Sequence, residues 1–147
     1  MRKRQTPCIG ICSTTYGDLI CRGCKRFAHE VTGWNGYADA QRIAVWRRLR
    51  DLRDAAVAEY VLIDNEAVLF EAAASLKIAP APDWSGLSAA YEILRRTRGA
   101  PDLASLGLTR SRFAAGIAAQ DLFGAIDREF YARATAAYER NFRILAQ

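Results

Sequence analysis

Apolar residues recur three or four positions apart over most of the chain, which is the spacing of an amphipathic α-helix. From Asp39, which can serve as an N-cap, this pattern continues through Trp46 and Leu49 to Tyr60 and predicts a long helix. The same spacing predicts further helices over residues 25–31, 66–77, 85–97 and 109–119, and a last one from Asp121 onward. Strand patterns are nearly absent. We therefore expect an all-α chain, in which a small four-cysteine knuckle at the N-terminus is followed by a helical bundle.

A short proline-bearing segment interrupts the helical pattern at residues 78–83. A helix must stop before Pro80 and Pro82, because proline disfavours the helical conformation of the residue that precedes it. The sequence thus predicts two parts. Residues 1–62 hold the four-cysteine knuckle and a basic helix, residues 63–147 form a C-terminal helical region, and the softest boundary lies at residues 78–84.

Composition places the chain among globular proteins. Of its 147 residues, 51% are hydrophobic and 25% are charged, which is close to the average for that class. The longest apolar runs, such as residues 60–63 and 67–70, are far shorter than the roughly 18 residues of a helical membrane span. No apolar run follows the basic residues 2–4, so no secretory signal is predicted and we expect a cytoplasmic protein.

The excess of positive charge lies in the N-terminal part. The net charge is +5, and residues 1–60 hold eleven Lys and Arg against six Asp and Glu, whereas residues 61–147 hold ten of each. Such asymmetry is typical of a surface that meets an acidic protein face or nucleic acid, although a solvated basic face fits equally well. The candidate partner-binding residues are Arg47, Arg48 and Arg50, which we expect on the outer side of the long helix.

Four cysteines lie within a 17-residue window, at Cys8, Cys12, Cys21 and Cys24. Two close pairs separated by a short loop are how tetrahedral thiolate sites are built. Each pair encloses one glycine, which permits the positive φ that a tight turn around a metal often needs. Disulfides are the alternative, but nothing in the sequence indicates an oxidising compartment. We therefore predict one metal or cluster site with these four ligands.

The identity of the metal stays open. Four thiolates suit a tetrahedral zinc ion, and they suit an iron–sulfur cluster equally well as ligands. The spacing matches neither the two-cluster ferredoxin run nor the plant-type run and is closer to a zinc knuckle. The residues alone therefore favour zinc.

The first third of the chain also carries a longer pattern. It runs Pro-Cys, a glycine and Cys from Pro7, then Cys-x-Gly-Cys-x-Arg to Arg26, followed by Glu30, Trp34 and an arginine-rich helix to about Arg53. In this it resembles a family of small bacterial four-cysteine proteins, the domain of unknown function 1289. The resemblance implies four cysteine ligands and no established enzyme activity. Members are commonly described as predicted iron–sulfur proteins, so both zinc and an iron–sulfur cluster stay open.

Residues after the second cysteine pair carry three local predictions. Arg26 and Glu30 lie four positions apart and can pair across one helical turn. Phe27 and Trp34 are expected to cover the metal site, with Trp34 packing against the next helix, because a short knuckle has no core of its own. His29 is the only histidine and is expected on the surface, since four cysteines already complete a metal shell.

No catalytic constellation is found, so neither an enzyme nor a small-molecule substrate is expected. The leading interpretation is a metal-binding accessory or interaction module, whose basic surface docks on an acidic protein or nucleic acid. The first alternative is an iron–sulfur electron-transfer or redox-sensing protein. The second is a DNA-binding regulator that uses residues 102–119 as a degenerate helix-turn-helix. Ordinary helix packing is preferred there, because the spacing is one residue short and Gly116 falls where an apolar residue is expected.

Overall fold

A computed structural model describes residues 6–79, 84–98 and 102–143 of the chain. It divides into two compact units, one made of residues 1–52 and 130–147 and the other of residues 53–129. The prolines of the predicted linker, at residues 80–83, lie outside the described residues. The described part forms five α-helices, which are α1 (Ala28–Gly33), α2 (Asp39–Tyr60), α3 (Glu66–Ser75), α4 (Gly86–Thr97) and α5 (Ala119–Tyr138).

The chain is mostly helical but not all-α, which corrects the expected fold class. Two short strands, β1 (Val61–Ile63) and β2 (Leu108–Arg110), pair antiparallel with Leu62 opposite Thr109. The backbone N–H groups of Asp64 and Asn65 both donate to the carbonyl of Gly107, which continues the pairing beyond the strands. A three-residue apolar run such as β1 cannot be told from the end of a helix by periodicity alone, so the pairing was not predicted.

Helices α3 and α4 of the second unit begin at side-chain N-caps, close to the positions that the sequence predicts. The Asn65 side chain accepts a hydrogen bond from the N–H of Val68 at the start of α3, and the Ser85 hydroxyl accepts one from Ser88 at the start of α4. These bonds satisfy N–H groups that have no partner within the helix. The helices predicted over residues 66–77 and 85–97 are therefore confirmed, each to within two residues at its ends.

The helix predicted over residues 109–119 is not formed. The alternative of a degenerate helix-turn-helix at residues 102–119 therefore lacks its recognition helix. Residues 104–114 instead form a 3-10 turn, strand β2 and a second 3-10 turn, Arg112–Ala114. Strand pairing explains the difference, because it engages the backbone groups that a helix would use. The hydroxyl and N–H of Ser111 then donate to the carbonyls of Glu59 and Tyr60 respectively.

The first unit has a small core that combines its two ends. Ile20 and Phe27, which flank the second cysteine pair, are buried together with Ala134 and Ala137 of α5. Tyr131 and Tyr138 pack against this cluster. Alanines of α5 thus complete the core of the cysteine-bearing segment. Among the described residues, no helix has the length and apolar character needed to cross a bilayer.

Candidate metal centre

The first cysteine pair lies on an exposed turn around Gly10. Gly10 adopts a φ of +96°, and its N–H donates a hydrogen bond to the sulfur of Cys8 at 3.3 Å. The predicted need for positive φ is thus confirmed in this pair. Cys12 leads into a 3-10 turn over Ser13–Tyr16, and its sulfur lies 3.2 Å from the hydroxyl of Thr14.

The second pair lies on a tighter turn closed by backbone hydrogen bonds. The N–H of Lys25 donates to the carbonyl of Cys21 at 2.8 Å, and the N–H of Cys21 donates to the carbonyl of Arg26 at 2.9 Å. Closure requires a positive φ at Lys25, which is +67°, and not at Gly23 as the sequence suggested. No role was predicted for Lys25, although its position directly after the second cysteine of a tight turn is a usable signal.

Gly23 serves instead as the point where the two turns touch. A Cβ at this position would lie 2.7 Å from the carbonyl oxygen of Ile11, so only glycine fits without a shift. Two further hydrogen bonds join the turns, from the Cys21 thiol to the Ile11 carbonyl at 3.3 Å and from the Arg22 N–H to the Ser13 hydroxyl at 2.8 Å. The fold therefore brings both cysteine pairs to one place.

The thiols differ in their electrostatic surroundings. Hydrogen bonds from the hydroxyls of Thr14 and Thr15 lower the pKa of Cys12. Burial acts to raise the pKa of Cys21, but backbone hydrogen bonds, chiefly from Cys24, together outweigh it and the net shift is downward. Burial raises the pKa of Cys24, and the neighbouring Arg26 only partly offsets it. The surroundings of Cys12 and Cys21 thus favour loss of the thiol proton, whereas burial of Cys24 opposes it.

Two buried cations surround the second cysteine turn. Arg26 is 4% exposed, its Nε donates to the sulfur of Cys24 at 3.2 Å, and its guanidinium lies 5.0 Å from the centre of the Trp34 ring. Lys25 is 1% exposed, and its ammonium donates to the carbonyls of Arg22 and Gly23 at 2.7 and 3.1 Å. Trp34 is therefore buried as expected, and it meets the site through Arg26.

The four sulfurs do not form a complete metal-coordination shell in the described part of the chain. Within residues 6–79, 84–98 and 102–143, no group of three or more Cys, His, Asp or Glu side chains is arranged to hold a metal ion. Cys21 interacts electrostatically with both Cys12 and Cys24, while Cys8 is exposed. The convergence of four sulfurs on one centre therefore stays a prediction. The donor set nevertheless fits a metal, because soft thiols are combined with N–H donors and buried positive charge.

His29 lies on the surface, as expected, and its ring contacts other aromatic side chains. It is exposed, and its ring stacks edge-on against Phe142 at 5.2 Å between centroids. Phe27 lies 5.9 Å from the same ring.

Glu30 does not pair with Arg26, which corrects the prediction from their spacing. It accepts two hydrogen bonds of 2.6 Å from the guanidinium of Arg48 on α2, and a third from the N–H of Phe27. The Arg48 guanidinium also lies 4.0 Å from the centre of the Phe27 ring. This Glu30–Arg48 clamp fixes α2 against the residues that leave the second cysteine turn.

The three candidate partner-binding arginines do not share one open face. Arg47 is exposed, as expected. Arg48 is engaged by Glu30, and its side chain is only 24% exposed. Arg50 is half-buried and donates to Asp51 at 3.1 Å. Only Arg47 is therefore placed as a freely accessible contact residue would be.

Comparison with known proteins identifies the cysteine-bearing segment. Residues 6–53 match the model of a family described as "Protein of unknown function (DUF1289)". No curated protein and no solved structure shows significant similarity to the chain. The match covers both cysteine turns, α1 and the part of α2 that carries Arg48. The resemblance noted from the sequence is thereby confirmed over residues 6–53, which are similar to the DUF1289 family.

Proposed function

We propose that Cys8, Cys12, Cys21 and Cys24 bind one metal centre, a zinc ion or an iron–sulfur cluster. In this proposal the centre stabilises a non-enzymatic interaction module, whose partner is an acidic protein face or nucleic acid. The proposal requires the exposed Cys8 to join the other three sulfurs when the metal binds. Four reduced thiols suit a cytoplasmic location, which is part of the proposal.

The burial of Arg26 carries this proposal. A guanidinium that is 4% exposed is costly unless an anion opposes it. No carboxylate of the described residues pairs with Arg26, and its one hydrogen-bonded side-chain partner is the sulfur of Cys24. A neutral thiol cannot balance the charge, whereas a thiolate bound to a metal can. The position of Arg26 is therefore explained if Cys24 is a metal ligand.

The remaining residues would act on the bound thiolates. Backbone N–H groups around Cys21 and the N–H of Gly10 donate to sulfur, which spreads the negative charge of the thiolates. Lys25 adds a second positive charge beside the second turn. A zinc ion would supply structural stability alone, whereas an iron–sulfur cluster would add one-electron chemistry.

The test is metal analysis of the full chain after anaerobic purification. We expect one equivalent of zinc in colourless protein, or iron and sulfide in brown protein, and loss of the metal in Cys24→Ser. Arg26→Met keeps the packing on Trp34 but removes the charge, and should weaken metal binding about tenfold or more, since a hydrogen bond to a charged group is worth about 1.5–3 kcal/mol. Arg22→Met is the matched control, because that side chain is 67% exposed on the same turn. Metal retained in Cys24→Ser, or equal effects of the two arginine variants, would contradict the proposal.

Accessible sulfur favours the iron–sulfur alternative, in which the chain transfers electrons or senses redox state. Cys8 is exposed and Cys12 is half-buried. Electron exchange with a partner and reaction with an oxidant both need such access, whereas a purely structural zinc site does not. A cluster that is reversibly reduced by dithionite, followed by its visible absorbance, would establish this alternative. Colourless protein with stoichiometric zinc would exclude it.

A further inference from the structure

The two cysteine turns expose an unusual amount of apolar side chain. Ile9 is 60% exposed, Ile11 59%, Tyr16 89% and Leu19 51%. We call these four residues the cysteine-loop surface. They lie within eleven positions of one another, beside or between the metal-ligand candidates. Single exposed hydrophobic residues need no explanation, but a concentration of large ones in one segment marks an interaction site.

Local packing places part of this surface at the junction of the two turns. A Cβ at Gly23 would lie 3.2 Å from side-chain atoms of both Ile9 and Ile11, so the two isoleucines flank that glycine. The other two residues belong to the loop that joins the cysteine pairs. Leu19 directly precedes Ile20, which is buried in the core of the unit, so the chain turns one side chain inward and the next outward.

Nucleic acid is a poor fit to the cysteine-loop surface. Contacts to phosphates dominate nucleic-acid binding, and none of the four side chains of this surface carries a positive charge. Binding to single strands needs several aromatic rings for base stacking, and this surface offers only Tyr16. Aliphatic side chains beside one tyrosine are instead typical of the centre of a protein–protein interface.

The positive charge of the chain indicates which kind of protein can bind the cysteine-loop surface. The chain carries a net charge of +5, so the same face of a second copy would be repelled. Arg22, whose side chain is 67% exposed, follows Cys21 directly, and the excess of positive charge lies in residues 1–60. Acidic groups on a partner would be attracted to this positive charge, while its apolar groups covered the isoleucines and Leu19.

We infer that the cysteine-loop surface docks into an apolar cleft with an acidic rim on a different protein. The inference rests on the proposed function, because it gives the metal centre the task of holding the two turns in the docking shape. It also moves the contact away from the arginines of α2, where the sequence analysis placed it. Tyr16, the most exposed of the four, would enter the cleft.

Photo-crosslinking can identify the partner. A photo-reactive phenylalanine analogue replaces Tyr16 in the full chain, expressed in cells under conditions that load the metal. The matched control carries the analogue at Phe113, which is 60% exposed in the other unit. We expect a discrete adduct with one acidic protein from position 16 and not from position 113. No adduct, an adduct removed by nuclease, or an adduct of two copies of the chain would overturn the inference.

Titration with the purified partner then measures the surface itself. Ile11→Ser/Leu19→Ser should weaken binding at least tenfold while metal content stays at the wild-type value, and Phe113→Ser should bind as the wild type does. Equal binding by the double variant with full metal would overturn the docking inference and leave the metal proposal intact. Conversely, wild-type protein that contains no metal but binds the partner through these side chains would refute the metal proposal and retain the docking surface.

Discussion

Removal of the Arg48 guanidinium tests the structural core of the cysteine-bearing unit. Arg48→Ala would leave Glu30, whose side chain is 7% exposed, without its cation. Deleting one partner of a buried ion pair costs about 3–5 kcal/mol, because the other charge stays buried. Arg48 is itself 24% exposed, so water can reach the vacated position and reduce the penalty. We therefore expect a loss of about 2–3 kcal/mol in the free energy of unfolding of this unit.

Tryptophan fluorescence during urea unfolding can measure this loss. Trp34 and Trp46 belong to the unit that contains the clamp, whereas Trp84 belongs to the other. A Trp84→Phe background therefore restricts the signal to the unit of interest. The matched control is Arg47→Ala, one position away on α2 and exposed, for which we expect a change within about 0.5 kcal/mol.

A double-mutant cycle identifies the cause of the loss. Glu30→Gln removes the buried charge, so Arg48→Ala should cost less in that background, with a coupling of about 1–3 kcal/mol. Equal destabilisation by Arg47→Ala and Arg48→Ala, or a coupling near zero, would refute the reasoning from the buried ion pair. Stability lost in both cases would then come from helix propensity and packing of α2 alone.

Three further outcomes follow from the cysteine turns. Gly23→Ala should lower metal content or affinity, measured by competition with a chelator, because its Cβ would clash with the Ile11 carbonyl; unchanged affinity would show that the turns separate freely. Lys25→Gly should be less destabilising than Lys25→Ala by about 1 kcal/mol in the same unfolding assay, since both lose the ammonium but only glycine relieves the positive φ; the reverse order would contradict this. Metal affinity should fall about tenfold for each unit by which the pH is lowered, for each thiol proton that the metal displaces. Cys24, whose pKa is raised by burial, should contribute such a proton at neutral pH and above. A pH-independent affinity would mean that the thiols are not ligands.

Local signals predicted much of the fold correctly. The long α2 follows from its apolar spacing, although Asp39 is its first helical residue and not the expected N-cap. Asn65 and Ser85 act as N-caps because a short polar side chain can reach the N–H groups of the first turn. These features depend on residues only three or four positions apart, and such interactions can be inferred from the sequence.

Features that depend on distant partners could not be predicted in this way. Pairing of Arg26 with Glu30 assumes that both lie on one helix, yet α1 begins only at Ala28, because the positive φ of Lys25 ends the preceding turn. Arg26 is thereby directed to Cys24, and Glu30 pairs with Arg48, eighteen positions away. Strands β1 and β2 are likewise about forty-five positions apart and only three residues long, so neither carries a periodic signal.

The sharing of one core between Ile20 and Phe27 near the N-terminus and Ala134 and Ala137 of α5 has a consequence for biosynthesis. The ribosome makes the cysteine-bearing segment well before the helix that completes its core, because Phe27 precedes Ala134 by 107 positions. During translation the four thiols are therefore attached to a segment without its final packing, open to metal donors and to oxidants alike. In the proposed function, metal delivered at that stage would organise the nascent turns before α5 is made, whereas metal delivered later would enter through the exposed turn at Cys8. Timing of metal supply relative to chain completion would thus decide how much of the protein matures.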